Sequence, residues 1–343
     1  MGTETKDANR PGLHHRRLAA LMRQAVKRCH LDLSDMVVLT EAASGSYVVT
    51  PVLAALSGAT RVYAVTKNTA HGTVEEITAD TMELAAELGV AERVVIASGR
   101  SRTIVAEADI VTNSGHVRPL DAELVAWMKP SAVIPLMYEA WELRPSDLDL
   151  DACRRRAIAV AGTNECHAAV GVFPYLGIMA VKLLLDAGVA IRGSCVLVLC
   201  DNPFGPHLEA GLRGAGAEVA LTADPTLLPH GNVYDAILVA LTPRGRPVVG
   251  GAEAQLPARE LFRRWPAAVV AQLWGDIDRD VLAAERVPYW PVGPVPRGHM
   301  GILPSAVGPE PVVRLQCGGL KVGEILARRS HATDPFRDVV QPL

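Results

Sequence analysis

Several side chains in this sequence are of kinds that move protons, and they occur in short clusters. Glu139 and Glu142 stand three residues apart in Met137-Tyr-Glu-Ala-Trp-Glu142. On a helical turn that spacing puts both carboxylates on one side. Two close acids push one pKa upward, which makes a general acid near neutral pH. A solvated turn beside Trp141 explains the same residues without chemistry. A second cluster, Asn164-Glu-Cys-His167, is polar between two apolar stretches. Asn164 suits the N-cap of a following helix, while Glu165 and His167 are candidates for proton transfer. His299 and Cys317 lie in glycine-flanked turns, Gly298-His-Met-Gly301 and Gln316-Cys-Gly-Gly319, where glycine permits close approach of a ligand. The candidate catalytic set is therefore His299, Glu165, His167 and Glu139. Zinc held by Cys166, His167, His299 and Cys317 has no recognised spacing behind it, so no metal is expected.

Two turns could hold an anion, because a strand, a small-residue turn and a helix start present unpaired backbone amides to a ligand. The first follows the strand Met36-Val-Val-Leu-Thr40 and reads Glu41-Ala-Ala-Ser-Gly-Ser46. Its residues are small, and Ser44 and Ser46 can donate. The next strand, 61–65, ends in Thr66-Lys-Asn-Thr69. Lys67 there favours a 2′-phosphate over a bare ribose. The second turn, Asp201-Asn-Pro-Phe-Gly205, follows the strand 194–200. Gly205 sits where the third glycine of a GxGxxG loop belongs. Cys200 and Asn202 occupy the first two places, where side chains obstruct a pyrophosphate, and Asp201 adds negative charge. The candidate cofactor-binding residues are Ser44, Gly45, Ser46 and Lys67, then Ser114 and His116 of a later turn, and Asn202 and Gly205.

The elements that must position these residues alternate. An amphipathic helix over 13–28 leads into strand 36–40, helix 48–56, strand 61–65 and helix 73–88. Short apolar runs follow at 94–97, 109–112 and 132–136, with a helix over 121–128 between the last two. The pattern restarts with a long apolar helix over 172–187, expected to be buried. It continues through strands at 194–200, 218–221, 236–240 and 267–271. Strand alternating with helix implies parallel sheets with right-handed crossovers. Hydrophobic residues make up 49% of the 343 residues and aromatics 4%, so the cores must be aliphatic, as parallel sheets require.

The expected fold is α/β: two tandem Rossmann-like domains with mostly parallel sheets and an inter-domain cleft. The boundaries read as a disordered start over 1–12, a first domain over 13–165, a second over 166–287, and a Pro/Gly-rich segment over 288–343. That last segment is too apolar to float. It is expected to pack on the cleft, to end in a short helix over 322–328, and to bring His299 near Asn164–His167. Ligands of such sheets bind outside the carboxyl ends of the strands, which also draws in Glu41, Glu142, Asp201 and Asp276. The net charge of −3 with interspersed signs argues against nucleic acid as a partner. The polar start lacks a signal-peptide core, and nothing reaches membrane-span length, so no membrane and a cytoplasmic location are expected. A small-molecule substrate is expected, with a homodimer left open.

Two passages resemble known families. Ala108-Asp-Ile-Val-Thr-Asn-Ser-Gly-His116, followed by Trp127-Met-Lys-Pro-Ser-Ala-Val-Ile134, is similar to the distal half of nicotinamide-binding domains, as in D-2-hydroxyacid dehydrogenases and adenosylhomocysteine hydrolases. The stretch 162–205, with Ala187-Gly-Val-Ala-Ile-Arg-Gly193, resembles the hinge of methylenetetrahydrofolate and shikimate dehydrogenases. Together they cover under a third of the chain. Pro296-Arg-Gly-His299-Met-Gly301 is similar in position to the late catalytic histidine of the dehydrogenases, without their full motif. The resemblance implies an NAD(P)-dependent oxidoreductase of a small polar metabolite, with NADP or NAD as cofactor. The first turn also resembles the first motif of adenosylmethionine-dependent enzymes, although Lys67 stands where their ribose-binding acid belongs. A non-catalytic protein that kept the fold and lost the glycines is the third reading.

Overall fold

The structure, a computed structural model, describes residues 10–224, 233–330 and 334–343. Of the disordered start expected over 1–12, residues 1–9 lie outside the described residues, and Pro11–Leu13 forms a 3₁₀ turn. The chain divides into two compact units: one runs through Val172 and resumes at Gly308–Leu343, and the other is Phe173–Val307.

The first unit contains α1 (His15–Cys29), β1 (Val37–Glu41), α2 (Val49–Leu56), β2 (Arg61–Val65), α3 (Val74–Glu87), β3 (Val94–Ala97), α4 (Arg102–Glu107), β4 (Ile110–Val111), α5 (Ala122–Trp127), β5 (Val133–Pro135), α6 (Leu150–Arg155) and β6 (Ala159–Thr163). The second contains α7 (Pro174–Asp186), β7 (Cys195–Leu199), α8 (Gly205–Gly214), β8 (Glu218–Thr222), β9 (Ala236–Ala240), β10 (Val249–Gly250), β11 (Leu256–Pro257), α9 (Ala258–Arg264), β12 (Val269–Trp274), α10 (Arg279–Ala284) and β13 (Tyr289–Trp290). Then α11 (Pro309–Ala327) and β14 (Val340–Gln341) return to the first unit.

The first unit's sheet runs β14-β6-β5-β4-β1-β2-β3 and is parallel except for the edge strand β14. Its first six strands follow the doubly wound order 3-2-1-4-5-6, which opens a crevice where the order reverses, between β1 and β4. The second unit's sheet, β13-β12-β9-β7-β8, is parallel throughout and reverses between β7 and β9. Val, Ile, Leu and Ala fill both faces of the central strands, as crossover helices on both sides demand. Local signals behave as their chemistry dictates. Thr73 and Glu76 close a capping box at the start of α3, and Asp121 caps α5. No described helix is long and apolar enough to cross a membrane.

Three elements depart from the sequence reading. The short helix expected over 322–328 is the end of a 19-residue helix, α11. Its two prolines sit in the first turn, where no intrahelical amide is lost. Its glycines serve close packing: a Cβ on Gly318 would stand 2.8 Å from Val170, and one on Gly323 would stand 2.9 Å from Ile110. The helix α7 is not buried all round. Leu176, Met179, Ala180, Leu183 and Leu184 enter the core, while Ile178 and Leu185 remain about half exposed on the other face. Asn164 caps no helix; its side chain accepts the Cys166 amide in a local turn ten residues before α7 begins.

Candidate functional site

At the β1–β4 crevice of the first unit, polar side chains replace the aliphatic ones. Thr40, Thr112 and Ser114 are buried and linked, with Thr112 Oγ1 2.8 Å from both Thr40 Oγ1 and Ser114 Oγ. Glu41, at the end of β1, reaches across to the loop after β4, where its Oε2 accepts the His116 amide at 2.9 Å. Burial pushes the Glu41 carboxyl above its usual range, against the pull of the His116 and Gly115 amides and the Arg118 and Lys67 charges. Burial and then the Lys67 charge hold His116 below the usual histidine range, so its ring is neutral at pH 7. Two buried atoms at this edge have no hydrogen-bond partner among the described residues: Thr66 Oγ1 after β2 and Asn113 Nδ2 after β4. The Asn113 Oδ1 accepts the Met137 amide.

The turn itself is Ala42-Ala-Ser-Gly-Ser46, with Gly45 at φ +62°, in the left-handed region that favours glycine. A 3₁₀ turn over Gly45–Val48 runs directly into α2. The first proline along this helical run is Pro51, so the turn keeps its amides. Ser44, Gly45, Ser46, Lys67, Ser114 and His116 are thus gathered at one sheet edge, Lys67 exposed after β2.

A second group stands at the ends of the neighbouring strands β5 and β6. Glu139 Oε1 accepts the Glu165 amide and the Gln341 side-chain amide, and Oε2 accepts Trp141 Nε1. Glu142 Oε1 accepts the Glu139 amide. Burial and the mutual repulsion of these acids raise their carboxyls. Glu142 is pushed up to about 7 and Glu165 well above the ordinary carboxylate range. Burial raises Glu139 as well. The same burial and charges push the Cys166 thiol up to about 11. His167 is occupied locally: its Nδ1 accepts the Ala169 amide, and its ring packs 6.1 Å from Phe336.

In the second unit, the β7 turn is stitched to the end of β9. Asp201 accepts the Thr242 amide and hydroxyl and pairs with Arg244. Asn202 donates to the Ala240 carbonyl at 2.7 Å and accepts the Phe204 amide at 3.1 Å. Pro203 and Pro206 remove two further amides from the start of α8. Gly205 serves packing, since a Cβ there would stand 3.3 Å from Leu221. This turn fits a dinucleotide pyrophosphate poorly: its crevice is bridged by Asn202 and Asp201, and over residues 203–207 the backbone donors are absent or already bonded.

His299 belongs to the second unit, whereas Asn164–His167 belongs to the first. Its segment is pinned at the end of β12: Gly298 donates to Asp276 and accepts Trp274 Nε1, and Gly301 donates to the Leu273 carbonyl. A Cβ on Gly301 would collide with the Gln272 carbonyl. Beside this segment lies a cavity of about 420 Å³, lined by Gln272, Asp276, Asp278, Arg279, Asp280 and Arg297 among others. The sequence reading did not single out Gln272, Arg279 or Gln341. Gln272 lies near the end of β12, Arg279 opens α10 just after it, and Gln341 ends β14.

No protein-family model matches the chain, and no curated protein matches it. Among solved structures, a dipicolinate synthase chain of Bacillus subtilis is similar over 88% of this chain and 97% of its own, with a TM-score of 0.52 at 11% identity. The dipicolinate synthase chain of Bacillus halodurans is similar over 89% of this chain and 100% of its own, with a TM-score of 0.52 at 11% identity. The NAD-dependent formate dehydrogenase of Staphylococcus aureus, in complex with NAD, is similar over 89% of this chain and 98% of its own, with a TM-score of 0.50 at 15% identity. At these identities the likeness establishes the fold, two Rossmann-like domains with mostly parallel sheets, as the sequence pattern implied.

Proposed function

We propose that the chain is an NAD(P)-dependent oxidoreductase acting on a small polar metabolite, with the nucleotide held at the β1 turn of the first unit. One observation carries the reading. Of the two turns placed where such sheets bind ligands, only the β1 turn keeps small residues, a left-handed glycine and an amide-bearing helix start. The fold shared with a formate dehydrogenase that binds NAD supports the same class. In this reading Ser44, Gly45 and Ser46 hold the phosphates, and Ser114 and His116 line the far wall. Lys67 pairs with a 2′-phosphate, which makes NADP the preferred form. The bound dinucleotide would supply the hydride carrier.

The chain's own residues then handle the proton. Glu139 accepts the Glu165 backbone amide, and burial raises both carboxyls, Glu165 further through the Glu142 and Glu139 charges, which makes these two acids the candidates for holding a proton. Within the second unit, His299 follows Gly298, whose amide is held by Asp276 beside a polar cavity, and is that unit's candidate for proton transfer. Asn202, Gly205 and His167 take structural parts. A thermal-shift panel of NADP, NAD, adenosylmethionine and adenosylhomocysteine tests the proposal. NADP should stabilise most. Stabilisation by adenosylmethionine alone, or by none of the four, would overturn it.

A further inference from the structure

The cavity at the end of β12 holds charges of both signs: Asp276 pairs with Arg297 and its charge also reaches Arg279, but no ion pair closes on Arg279 itself among the described residues. The Arg279 guanidinium is half-buried and turned inward. Its Nη2 donates to Gln272 Oε1 at 2.6 Å and its Nε to the Pro291 carbonyl at 3.2 Å. Gln272 is itself buried and oriented, its Nε2 donating to the Gly275 carbonyl at 2.8 Å. Both partners of the arginine are neutral, and no carboxylate among the described residues lies within ion-pair distance of it. A partly desolvated cation held by neutral acceptors keeps its charge for a ligand.

The acids of the same cavity divide by task. Asp276 is committed, accepting the Gly298 amide and standing 3.6 Å from Arg297. Asp278 spends one oxygen on the Val281 amide at the start of α10, and Asp280 is exposed. Neither has an ion-pair partner among the described residues. Although both flank Arg279 in sequence, the guanidinium is bonded to Gln272 and the Pro291 carbonyl and not to them. The cavity thus offers a fixed cation and, lining the same space, the exposed Asp280 carboxylate and the second oxygen of Asp278. Three aspartates disfavour a dianion such as phosphate, while a carboxylate with a neighbouring ammonium satisfies both signs.

We propose that this cavity binds an α-amino acid, its carboxylate on the Arg279 guanidinium and its ammonium on Asp278 and Asp280. The binding stands independently of the nucleotide; that the amino acid is also the substrate rests on the oxidoreductase reading. The test is isothermal titration of the full chain, without nucleotide, against the protein amino acids, the 2-hydroxy acids lactate and malate, and inorganic phosphate. One or more amino acids should bind, with the 2-hydroxy acids about tenfold or more weaker and phosphate silent. Arg279→Lys keeps the charge but loses the planar fork, and should weaken the amino acid about tenfold or more. The double variant Asp278→Asn, Asp280→Asn keeps the helix cap and should weaken the amino acid while leaving lactate unchanged. The proposal is overturned if no amino acid binds, if phosphate or the 2-hydroxy acids bind as tightly, or if binding survives Arg279→Lys undiminished. Failure of NADP to bind would remove the oxidoreductase reading and leave this one standing.

Discussion

Glu142→Gln tests whether the acids after β5 and β6 store a proton. The Glu142 carboxyl has an ordinary value of 4.5 and is pushed up to about 7 in the folded chain by burial and then by the Glu139 charge. The folded chain therefore binds more protons than the unfolded chain between those values. This contribution to stability is fully present below 4.5 and is lost as pH rises through about 7. The distance from 4.5 to about 7, at roughly 1.4 kcal/mol for each pH unit, gives about 3 kcal/mol at most. Glutamine keeps the shape and removes the titration. Urea unfolding followed by tryptophan fluorescence, with Trp141 two residues from Glu139 as a reporter, should show the wild type losing stability from pH 5 to pH 8 relative to the variant. Parallel profiles for the two proteins would refute the argument, because they would mean that Glu142 ionises alike in the folded and unfolded chains.

Other substitutions separate the remaining claims. Lys67→Asp should weaken NADP much more than NAD in equilibrium titrations, since a cation pairs with the 2′-phosphate and offers a ribose nothing; equal losses would remove Lys67 from the site. His299→Ala should abolish turnover while leaving melting temperature and ligand affinity nearly unchanged, and retained turnover would exclude His299 from proton transfer. Gly318→Ala should cost roughly 1–3 kcal/mol in chemical denaturation, because its Cβ would stand 2.8 Å from Val170. Lys321→Met should cost about 3–5 kcal/mol, since Lys321 is 3% exposed and its loss strips a cation from buried Glu324, 3.0 Å away.

The alternation of aliphatic strands and helices was legible because parallel strands covered on both faces must be apolar throughout, as in Val196 to Leu199 and Ala236 to Ala240. The return of the chain to the first unit was not. Pro309, Pro311, Gly318, Gly319 and Gly323 read as breakers, and only the neighbours they touch turn them into a tightly packed helix. Glu139 and Glu165 were visible as candidates, but their pairing depends on β5 and β6 lying side by side. Gln341 could not be linked to them until β14, from the far end of the chain, paired with β6. Asn202 was suspected as an obstruction from its place in the turn. That it bridges β7 to β9 became apparent only from the sheet order.

The placement of the nucleotide is the central claim, and NADPH fluorescence titration of three proteins tests it most directly. The wild type should bind. Gly45→Val, which forces a β-branched residue into φ +62°, should lose binding, and Asn202→Leu in the second unit should retain it. Binding that survives Gly45→Val and disappears with Asn202→Leu would contradict the account.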